Sequence, residues 1–121
     1  MKPLRVLIVD DEQELVSTLV ERLDIRGIDA EGVGNGAAGL EKIKEQDFDV
    51  VLLDLKMPGM DGLEVIRRMH AEKPDLKIVL LTGHCDAENT ERGRQAGAYD
   101  CLVKPVSIDT MLRLLNQAAG R

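Results

Sequence analysis

Three short, almost continuous apolar runs constrain what this chain can fold into more than any other feature. They are built mainly from leucine and β-branched residues and comprise residues 4–9, 50–53 and 78–81. Runs of this length without polar alternation are typical of strands that are buried on both faces of a parallel sheet. Residues 28–33 alternate between apolar and polar side chains, which predicts a weaker strand nearer an edge, and residues 101–103 are a short fifth candidate.

Segments with helical periodicity separate these strands. Leu15, Leu19 and Leu23 recur at every fourth position, as expected for the apolar face of a helix. A third helix is predicted to end before Pro74, and Ser107 is a suitable N-cap for the last helix. The alternation of strands and helices predicts an α/β fold, with a five-stranded parallel sheet, helices on both faces and right-handed crossovers.

Composition narrows the class of protein. A length of 121 residues fits one domain, and a core with only 2% aromatic residues must be aliphatic. The formal charge of −6 argues against direct binding to nucleic acid or anionic lipid. The apolar runs are too short for a membrane span, and the N-terminus lacks a signal-peptide pattern, which favours a cytoplasmic protein. Because Cys85 and Cys101 lie in unlike contexts, reduced thiols are expected rather than a disulfide framework.

Polar residues stand where the predicted strands end. Asp10 and Asp11 follow the first strand, Asp54 ends the third, Thr82 ends the fourth and Lys104 ends the fifth. In open parallel sheets, sites form at the carboxyl ends of the strands, so these side chains are expected to share one crevice. Each residue alone has a simpler interpretation, as a helix cap, a turn residue, a strand residue or a solvated charge.

The conjunction of these residues indicates a metal site. Three carboxylates in one crevice repel each other unless cations neutralise them. Lys104 supplies one positive charge and a bound Mg²⁺ would supply two, and Mg²⁺ prefers oxygen ligands that it shares with phosphate and water. A hydroxyl and an ammonium on the opposite wall are groups that a phosphoryl oxygen would accept hydrogen bonds from.

With this set of residues, the chain resembles a response-regulator receiver domain of two-component signalling. The resemblance rests on motifs that occur in the family's order and spacing, VDDE at 9–12, LLDLKMPGMDG at 52–62, LLTGH at 80–84 and LVKP at 102–105. It covers essentially all 121 residues, and implies that residues 1–121 form one receiver domain. The implied fold is flavodoxin-like, doubly wound, with strand order 2-1-3-4-5 and five helices.

The resemblance also implies a metal set and a phosphoacceptor. Asp54 would accept a phosphoryl group from a phosphohistidine of a sensor histidine kinase or a histidine phosphotransfer protein. Asp11, Asp54 and the backbone carbonyl of Lys56 would bind Mg²⁺ directly, with Asp10 assisting through water. The domain would then catalyse its own phosphorylation and dephosphorylation without being a conventional enzyme.

The remaining implied roles concern the phosphoryl group and the output. Lys104 would pair with the phosphoryl group, and Thr82 would donate a hydrogen bond to it after transfer. The Lys104-Pro105 bond is often cis in this family. The change would reach an output domain or partner protein through helix four, strand five and helix five, and a homodimer through that face is a further implication.

Cys101 departs from the family pattern. Three residues before the lysine the family usually carries Tyr or Phe, which swings inward as the threonine moves. Tyr99 lies two residues earlier and would not point the same way, and Val106 stands where Phe is usual. The simpler interpretation of Cys101, which takes the place of the switch aromatic, is a small buried residue of strand five.

Helix four is predicted over residues 86–96 and should be weakly held. The segment has no Leu, Ile, Val, Phe or Met, so its buried face would consist of Ala87, Thr90, Gly93 and Ala96. Weakly packed elements move at low energetic cost. We therefore expect displacement of Thr82 to be passed to this helix.

Other functions remain open from the residues alone. An aspartyl-phosphate hydrolase would usually place a second Asp where Lys56 stands. Residues Gly34–Gly39 fit G-x-G-x-x-G and could belong to a nucleotide-binding module, although Asn35 also reads as a helix N-cap. His84 and Cys85 could suggest a thiol catalyst. Both a stand-alone regulator and the N-terminal receiver of a longer protein fit the length.

Overall fold

A computed structural model describes residues 2–57, 59 and 61–120, and over this part the chain alternates five strands with five helices. Pro58 and Met60, which belong to the LLDLKMPGMDG motif, lie outside the described residues. The elements in chain order are β1 (Arg5–Val9), α1 (Gln13–Ile25), β2 (Asp29–Val33), α2 (Gly36–Glu45), β3 (Val50–Asp54), α3 (Gly62–Glu72), β4 (Lys77–Thr82), α4 (Ala87–Ala96), β5 (Asp100–Val103) and α5 (Ile108–Ala118).

The strands form one parallel sheet in the order β2-β1-β3-β4-β5, which confirms the predicted fold class and strand order. The alternating strand β2 lies at an edge, as its pattern predicted, and every residue of the apolar strand β3 is buried. Strand order reverses between β1 and β3, because the chain leaves β1 towards β2 and returns past it. The carboxyl ends of β1 and β3 therefore flank the point where a site is expected.

Aliphatic side chains fill the space on both faces of the sheet. On one face α1 and α5 bury Leu19, Leu23 and Met111 against the strands. On the other face α2, α3 and α4 lie against the sheet, with Ile43, Ile66 and Ala96 among the buried residues. Among the described residues, no helix is both long and apolar enough to cross a membrane.

The N-cap residues of the helices agree in part with those predicted from the sequence. Asn35 is the N-cap of α2, and its side chain accepts a hydrogen bond from the Ala38 amide at 2.8 Å. Ser107 holds the predicted N-cap position of α5, but its side chain makes no capping hydrogen bond. The N-cap of α1 is Glu12, whose amide donates to Asp10 Oδ1 at 3.0 Å. Asp10 therefore accepts a hydrogen bond at the start of α1 through Oδ1 and faces Lys104 in the crevice through Oδ2.

Helix α4 has a small buried face. Gly93 and Ala96 are buried and Thr90 is half-buried, whereas Ala87 is exposed, so the prediction of a buried Ala87 is wrong. The helix approaches the sheet most closely in its second half, so Ala87 in its first turn is left exposed. A Cβ on Gly93 would lie 2.5 Å from Leu80 Cδ1, so the backbone of α4 rests directly on that leucine.

At the opposite end of the sheet, Arg5 links several segments. Its guanidinium pairs with Asp29 at 3.0 Å and donates to the Asp47 carbonyl at 2.8 Å and to Gln46 Oε1 at 2.6 Å. Its Cζ also lies 4.8 Å from the centroid of the Phe48 ring. One side chain therefore ties β1 to β2 and to the loop between α2 and β3, at the end of the strands farthest from Asp54.

Candidate functional site

Three buried polar side chains mark the carboxyl ends of the central strands. Asp10 follows β1 and has no exposed surface, Asp54 is the last residue of β3 and Thr82 is the last residue of β4. Within the described part of the chain, these are the buried polar or charged residues. Burial of an unpaired carboxylate is unfavourable, so a partner is required.

Lys104 is that partner. It follows β5, and its Nζ lies 2.8 Å from Asp10 Oδ2, 3.0 Å from Glu12 Oε1 and 3.5 Å from Asp54 Oδ2. The Lys104-Pro105 peptide bond is cis, as the family resemblance suggested. Burial alone lowers the pKa of Lys104, but its short contacts with Asp10 and Glu12 and the negative charge of Asp54 outweigh burial and raise the pKa above its ordinary value. The lysine is therefore charged at any physiological pH.

Asp54 is the carboxylate with the perturbed acidity. Burial raises its pKa above the usual value, and the charge of Asp10 raises it further. The hydrogen bond that Asp54 Oδ1 accepts from the Lys56 amide at 3.1 Å lowers the pKa, as does Lys104, but these effects are smaller together. The ionised form of Asp54 is therefore under-neutralised, which is the state that an added cation would stabilise.

The crevice also has the ligand atoms that a divalent cation needs. Carboxylate oxygens of Asp10, Glu12 and Asp54 lie within 4.8 Å of one another. Asp10 Oδ2 is buried and, among the described residues, has no hydrogen-bond partner of good geometry, so its contact with Lys104 is an ion pair with acceptor capacity left over. An all-oxygen, strongly negative group of this kind fits Mg²⁺.

The structure brings together most of the residues that the sequence pointed to, and it adds one. Asp10, Asp54, Thr82 and Lys104 meet at the crevice, while Asp11 is exposed and lies outside the group of three carboxylates. Glu12 was missed by the sequence reasoning. Its position two residues after Asp10 was the available indication in the sequence. A single acid at the start of a helix is usually a solvated surface residue, so this position alone did not predict a role in the site.

Thr82 connects the crevice to the segment that leads into α4. Its Oγ1 accepts a hydrogen bond from the His84 amide at 3.3 Å, and its carbonyl accepts one from the Lys104 amide at 2.7 Å. Thr82 lies opposite Val103 in the β4–β5 register. Movement of this residue would therefore act on both the following loop and β5.

The expectation of two reduced cysteines is wrong for this structure, which joins Cys85 and Cys101 in a disulfide. Cys85 lies in the loop after β4, and Cys101 lies opposite Leu80 in the neighbouring strand. The parallel register brings the two together although their sequence contexts differ. A thiol catalyst built on His84 and Cys85 is not supported, since this sulfur is already bonded.

Within residues 34–39, Asn35 and Gly39 have structural roles. The Asn35 side chain occupies the start of α2, and a Cβ on Gly39 would lie 3.0 Å from Val9 Cγ2 and 3.1 Å from Met69 Cε. Gly39 is thus required for close packing of α2 on β1 and α3. The nucleotide-binding interpretation is not favoured.

Comparison with known proteins agrees with this geometry. Residues 6–116 match the model of the response regulator receiver domain. The chain is 35% identical over 115 residues to the C4-dicarboxylate transport transcriptional regulatory protein DctD of Pseudomonas aeruginosa, covering 94% of this chain but 25% of that protein. The chain thus spans about a quarter of the length of this relative.

Solved structures agree as well. The CheY-like receiver domain protein of Methanospirillum hungatei superposes with a TM-score of 0.92 at 30% identity, covering 98% of this chain and 94% of that one. The response regulator protein TrrA of Thermotoga maritima, solved in complex with Mg²⁺-BeF, gives a TM-score of 0.85 at 31% identity, over 95% and 98% of the two chains. The family match covers nearly the whole chain, and the strand order and the acidic crevice are in keeping with it, so the chain belongs to the response regulator receiver domain family of two-component signalling.

Proposed function

We propose that this domain is a phosphorylation-dependent switch in which Asp54 accepts a phosphoryl group. The observation that carries the proposal is the position of Asp54, which is buried at the end of β3 with Lys104 Nζ 3.5 Å from its Oδ2 and Asp10 beside it. A carboxylate is a weak nucleophile, but it can attack phosphorus when it is held in line and the surrounding charge is neutralised. The fully paired ammonium of Lys104 supplies part of that neutralisation.

The phosphohistidine donor supplies the phosphoryl group and the leaving group of the transfer. An oxygen of Asp54 forms a bond to phosphorus while the bond from phosphorus to the imidazole nitrogen of a phosphohistidine breaks, and the electron pair returns to that nitrogen. The product is an acyl phosphate on Asp54. Hydrolysis by water later restores the carboxylate and releases inorganic phosphate, and the domain assists both steps by orienting the reacting groups.

Bound Mg²⁺ would neutralise the carboxylates and the incoming phosphoryl oxygens. Asp10, Asp11, Asp54 and the backbone carbonyl of Lys56 are the proposed ligands, and the spare acceptor capacity of Asp10 Oδ2 supports that set. In the structure Glu12 instead holds Lys104 at 3.0 Å. We infer that Glu12 keeps the lysine within the crevice until a phosphoryl group replaces it as partner.

The output is proposed to leave through α4, β5 and α5. The Thr82 hydroxyl can donate a hydrogen bond to a phosphoryl oxygen, while its oxygen accepts one from the His84 amide. A shift of Thr82 would pull the loop that leads into α4. The buried residues of this helix are Gly93 and Ala96. Because such small residues bury little apolar surface, movement of the helix is expected to cost little free energy.

The partners follow from the same chemistry. A sensor histidine kinase or a histidine phosphotransfer protein would supply the phosphoryl group, and an output domain or partner protein would read the face formed by α4, β5 and α5. Exposed Val103 on β5 supports a docking or homodimer surface there. The charge of −6 supports an output by protein contact rather than direct nucleic-acid binding. A cytoplasmic location is part of this proposal, because a kinase phosphohistidine is made from intracellular ATP.

Intact mass measurement tests the proposal. The chain is incubated with acetyl phosphate and Mg²⁺, and one labile phosphoryl group per chain is expected. Asp54→Asn and a sample with a chelator in place of Mg²⁺ should both stay unmodified. Catalytic release of phosphate without a modified chain would instead indicate an aspartyl-phosphate hydrolase, and an unmodified wild type with Mg²⁺ present would overturn the assignment of Asp54.

Hydrogen exchange tests the output route. Wild-type protein is compared with and without beryllofluoride, a phosphoryl mimic, in the presence of Mg²⁺ and a thiol reductant. Exchange is expected to change over residues 82–104. Changes confined to α1 or α2, with residues 82–104 unaltered, would show that the route is wrong.

A further inference from the structure

The disulfide lies beside the residue through which the proposed signal leaves the site. Cys85 is three residues after Thr82, and Cys101 is the second residue of β5. Their Cα atoms are 6.1 Å apart, within the range of about 4.4–6.8 Å that disulfides usually span. Both residues are half-buried rather than enclosed in the core, so a small thiol or disulfide can reach them.

The bond fixes the beginning of α4. Asp86, which directly follows Cys85, is the N-cap of this helix, and its side chain accepts a hydrogen bond from the Asn89 amide at 2.8 Å. Beyond the helix, the Tyr99 amide donates to the Ile78 carbonyl at 2.7 Å. The whole of α4 therefore lies inside a covalent loop that is closed by Cys85 and Cys101 and attached to the sheet at both ends.

Without the bond, the first half of α4 has weak attachments. Ala87 and Glu88 are exposed, and the buried residues of the helix, Gly93 and Ala96, lie in its second half. The loop of residues 83–86 would then follow the Thr82 hydroxyl, to which the His84 amide donates. With the bond present, the same loop is held on β5 one residue beyond His84.

Resting on the proposed function, we propose that Cys85 and Cys101 form a thiol–disulfide exchange site that determines whether a phosphoryl group on Asp54 can move α4. In the disulfide form the loop is anchored on β5, and a displacement of Thr82 is not transmitted. In the dithiol form the displacement reaches the first half of α4. The receiver thus requires two inputs, phosphorylation and reduction.

The exchange partner is a small-molecule disulfide or its thiol. One protein thiolate attacks a sulfur of the small disulfide and displaces a thiolate, which leaves a mixed disulfide on the protein. The second protein thiolate then attacks the bonded protein sulfur and displaces the other small thiolate. Two protein thiols are oxidised, one small disulfide is reduced to two thiols, and the two protons pass from the protein thiols to the leaving thiolates.

The test compares two redox forms of the wild-type chain. One sample is equilibrated with glutathione disulfide and the other with a dithiol reductant, and excess reagent is removed. Alkylation followed by mass measurement reports the thiols in each form. Acetyl phosphate and Mg²⁺ are then used to measure phosphoryl incorporation, and hydrogen exchange at residues 86–96 is measured with and without beryllofluoride. We expect equal incorporation in both forms, and an exchange response about fivefold larger in the dithiol form.

Serine variants remove the bond without an added reagent. Cys85→Ser and Cys101→Ser should each respond like the dithiol form in either redox condition, and Cys101→Ala serves as a second variant if serine disturbs the fold. Alkylation of both cysteines after treatment with glutathione disulfide overturns the site. Equal exchange responses with normal phosphoryl incorporation overturn the coupling but leave the proposed function standing. Absence of incorporation in every form overturns the proposed function and the coupling with it.

Discussion

Lys104 Nζ and the fully buried Asp10 Oδ2 are 2.8 Å apart, although the two residues follow strands that are not neighbours in the sheet. The contact crosses the crevice above β3 and β4. The lysine side chain therefore extends from the edge strand β5 to Asp54 and Asp10. Any phosphoryl group that enters must compete for this ammonium with the acids that already hold it.

Replacement of Lys104 by arginine keeps the charge but not the shape. A lysine ammonium is a compact charge that can face three carboxylates at once, whereas a guanidinium is planar and binds in a fixed fork. We expect Lys104→Arg to accept a phosphoryl group from acetyl phosphate but to lose most of the exchange change in α4. Intact mass and hydrogen exchange measure the two effects separately, and Lys44→Arg on the exposed face of α2 is the control. A wild-type exchange response in a phosphorylated Lys104→Arg sample would contradict the assigned role.

The raised pKa of Asp54 predicts a pH-dependent stability. Because the folded chain disfavours the ionised form, the destabilisation is absent below the pKa of an unfolded aspartate, about 3.9, and grows as the pH rises through the higher pKa of the folded chain. Asp54→Asn should therefore raise the urea midpoint at pH 7, without metal, and raise it less at pH 4. Lys104 keeps Asp10 and Glu12 as partners in this variant.

Bound Mg²⁺ should stabilise the wild type more than Asp54→Asn, which opposes the difference in urea midpoint expected without metal. A ligand that binds only the folded chain stabilises it by RT ln(1 + [L]/Kd), which is larger for the tighter binder, so millimolar Mg²⁺ should raise the midpoint of the wild type more than that of Asp54→Asn. Asp75→Asn, at an exposed position, is the matched control and should follow the wild type. Equal midpoints for wild type and Asp54→Asn at pH 7 in a chelator would show that burial does not penalise the carboxylate.

Two neighbouring acids compete for the role of metal ligand. The family resemblance assigns Asp11, whereas the structure places Glu12 with Asp10 and Asp54. We expect Asp11→Asn to weaken Mg²⁺ binding and phosphorylation together by at least about tenfold, since even the loss of an outer partner of a metal site costs about ten- to hundredfold in affinity. Glu12→Gln should change Mg²⁺ affinity less than Asp11→Asn does, since its side chain is largely exposed and pairs with Lys104. Calorimetric titration with Mg²⁺ measures both, and the opposite order would assign the metal to Asp10, Glu12 and Asp54.

Gly93 offers a test of how closely α4 lies on the sheet. Alanine has a helix propensity better by about 1 kcal/mol, but its Cβ would lie 2.5 Å from Leu80 Cδ1, and Leu80 is only 1% exposed. Overpacking of a buried site costs about 1–3 kcal/mol, so Gly93→Ala should destabilise the chain by roughly 1 kcal/mol in urea unfolding. At Gly34 a Cβ would meet nothing within 4 Å, so Gly34→Ala is the control and should change stability by less than about 0.5 kcal/mol. A more stable Gly93→Ala would show that α4 can move away freely.

The strands and their terminal polar residues could be predicted because their signals are local. Strands Val50–Asp54 and Lys77–Thr82 are apolar along their length, and a parallel sheet brings whatever follows them to one edge. Asp54, Thr82 and Lys104 were found by that rule. The strand order required the family resemblance, since apolar runs do not specify which neighbours pair.

The features that the sequence did not reveal depend on distances across the sheet. The contact between Glu12 and Lys104 depends on how the start of α1 approaches β5, and no local pattern encodes it. The Cys85–Cys101 pair follows from the register that sets Leu80 opposite Cys101, which could have been read once β4 and β5 were known to be neighbours. The exposure of Ala87 depends on where α4 contacts the sheet, which is at Gly93 against Leu80 in its second half.

The contacts of Arg5 have a consequence for engineering. They join β1, β2 and the segment before β3 at the end of the sheet remote from Asp54. Substitutions, surface attachment or a fused tag at that end can therefore be chosen for robustness alone, because the groups that handle the phosphoryl group are not among their neighbours. A biosensor made from this domain would be immobilised through the Arg5 end and read out at α4.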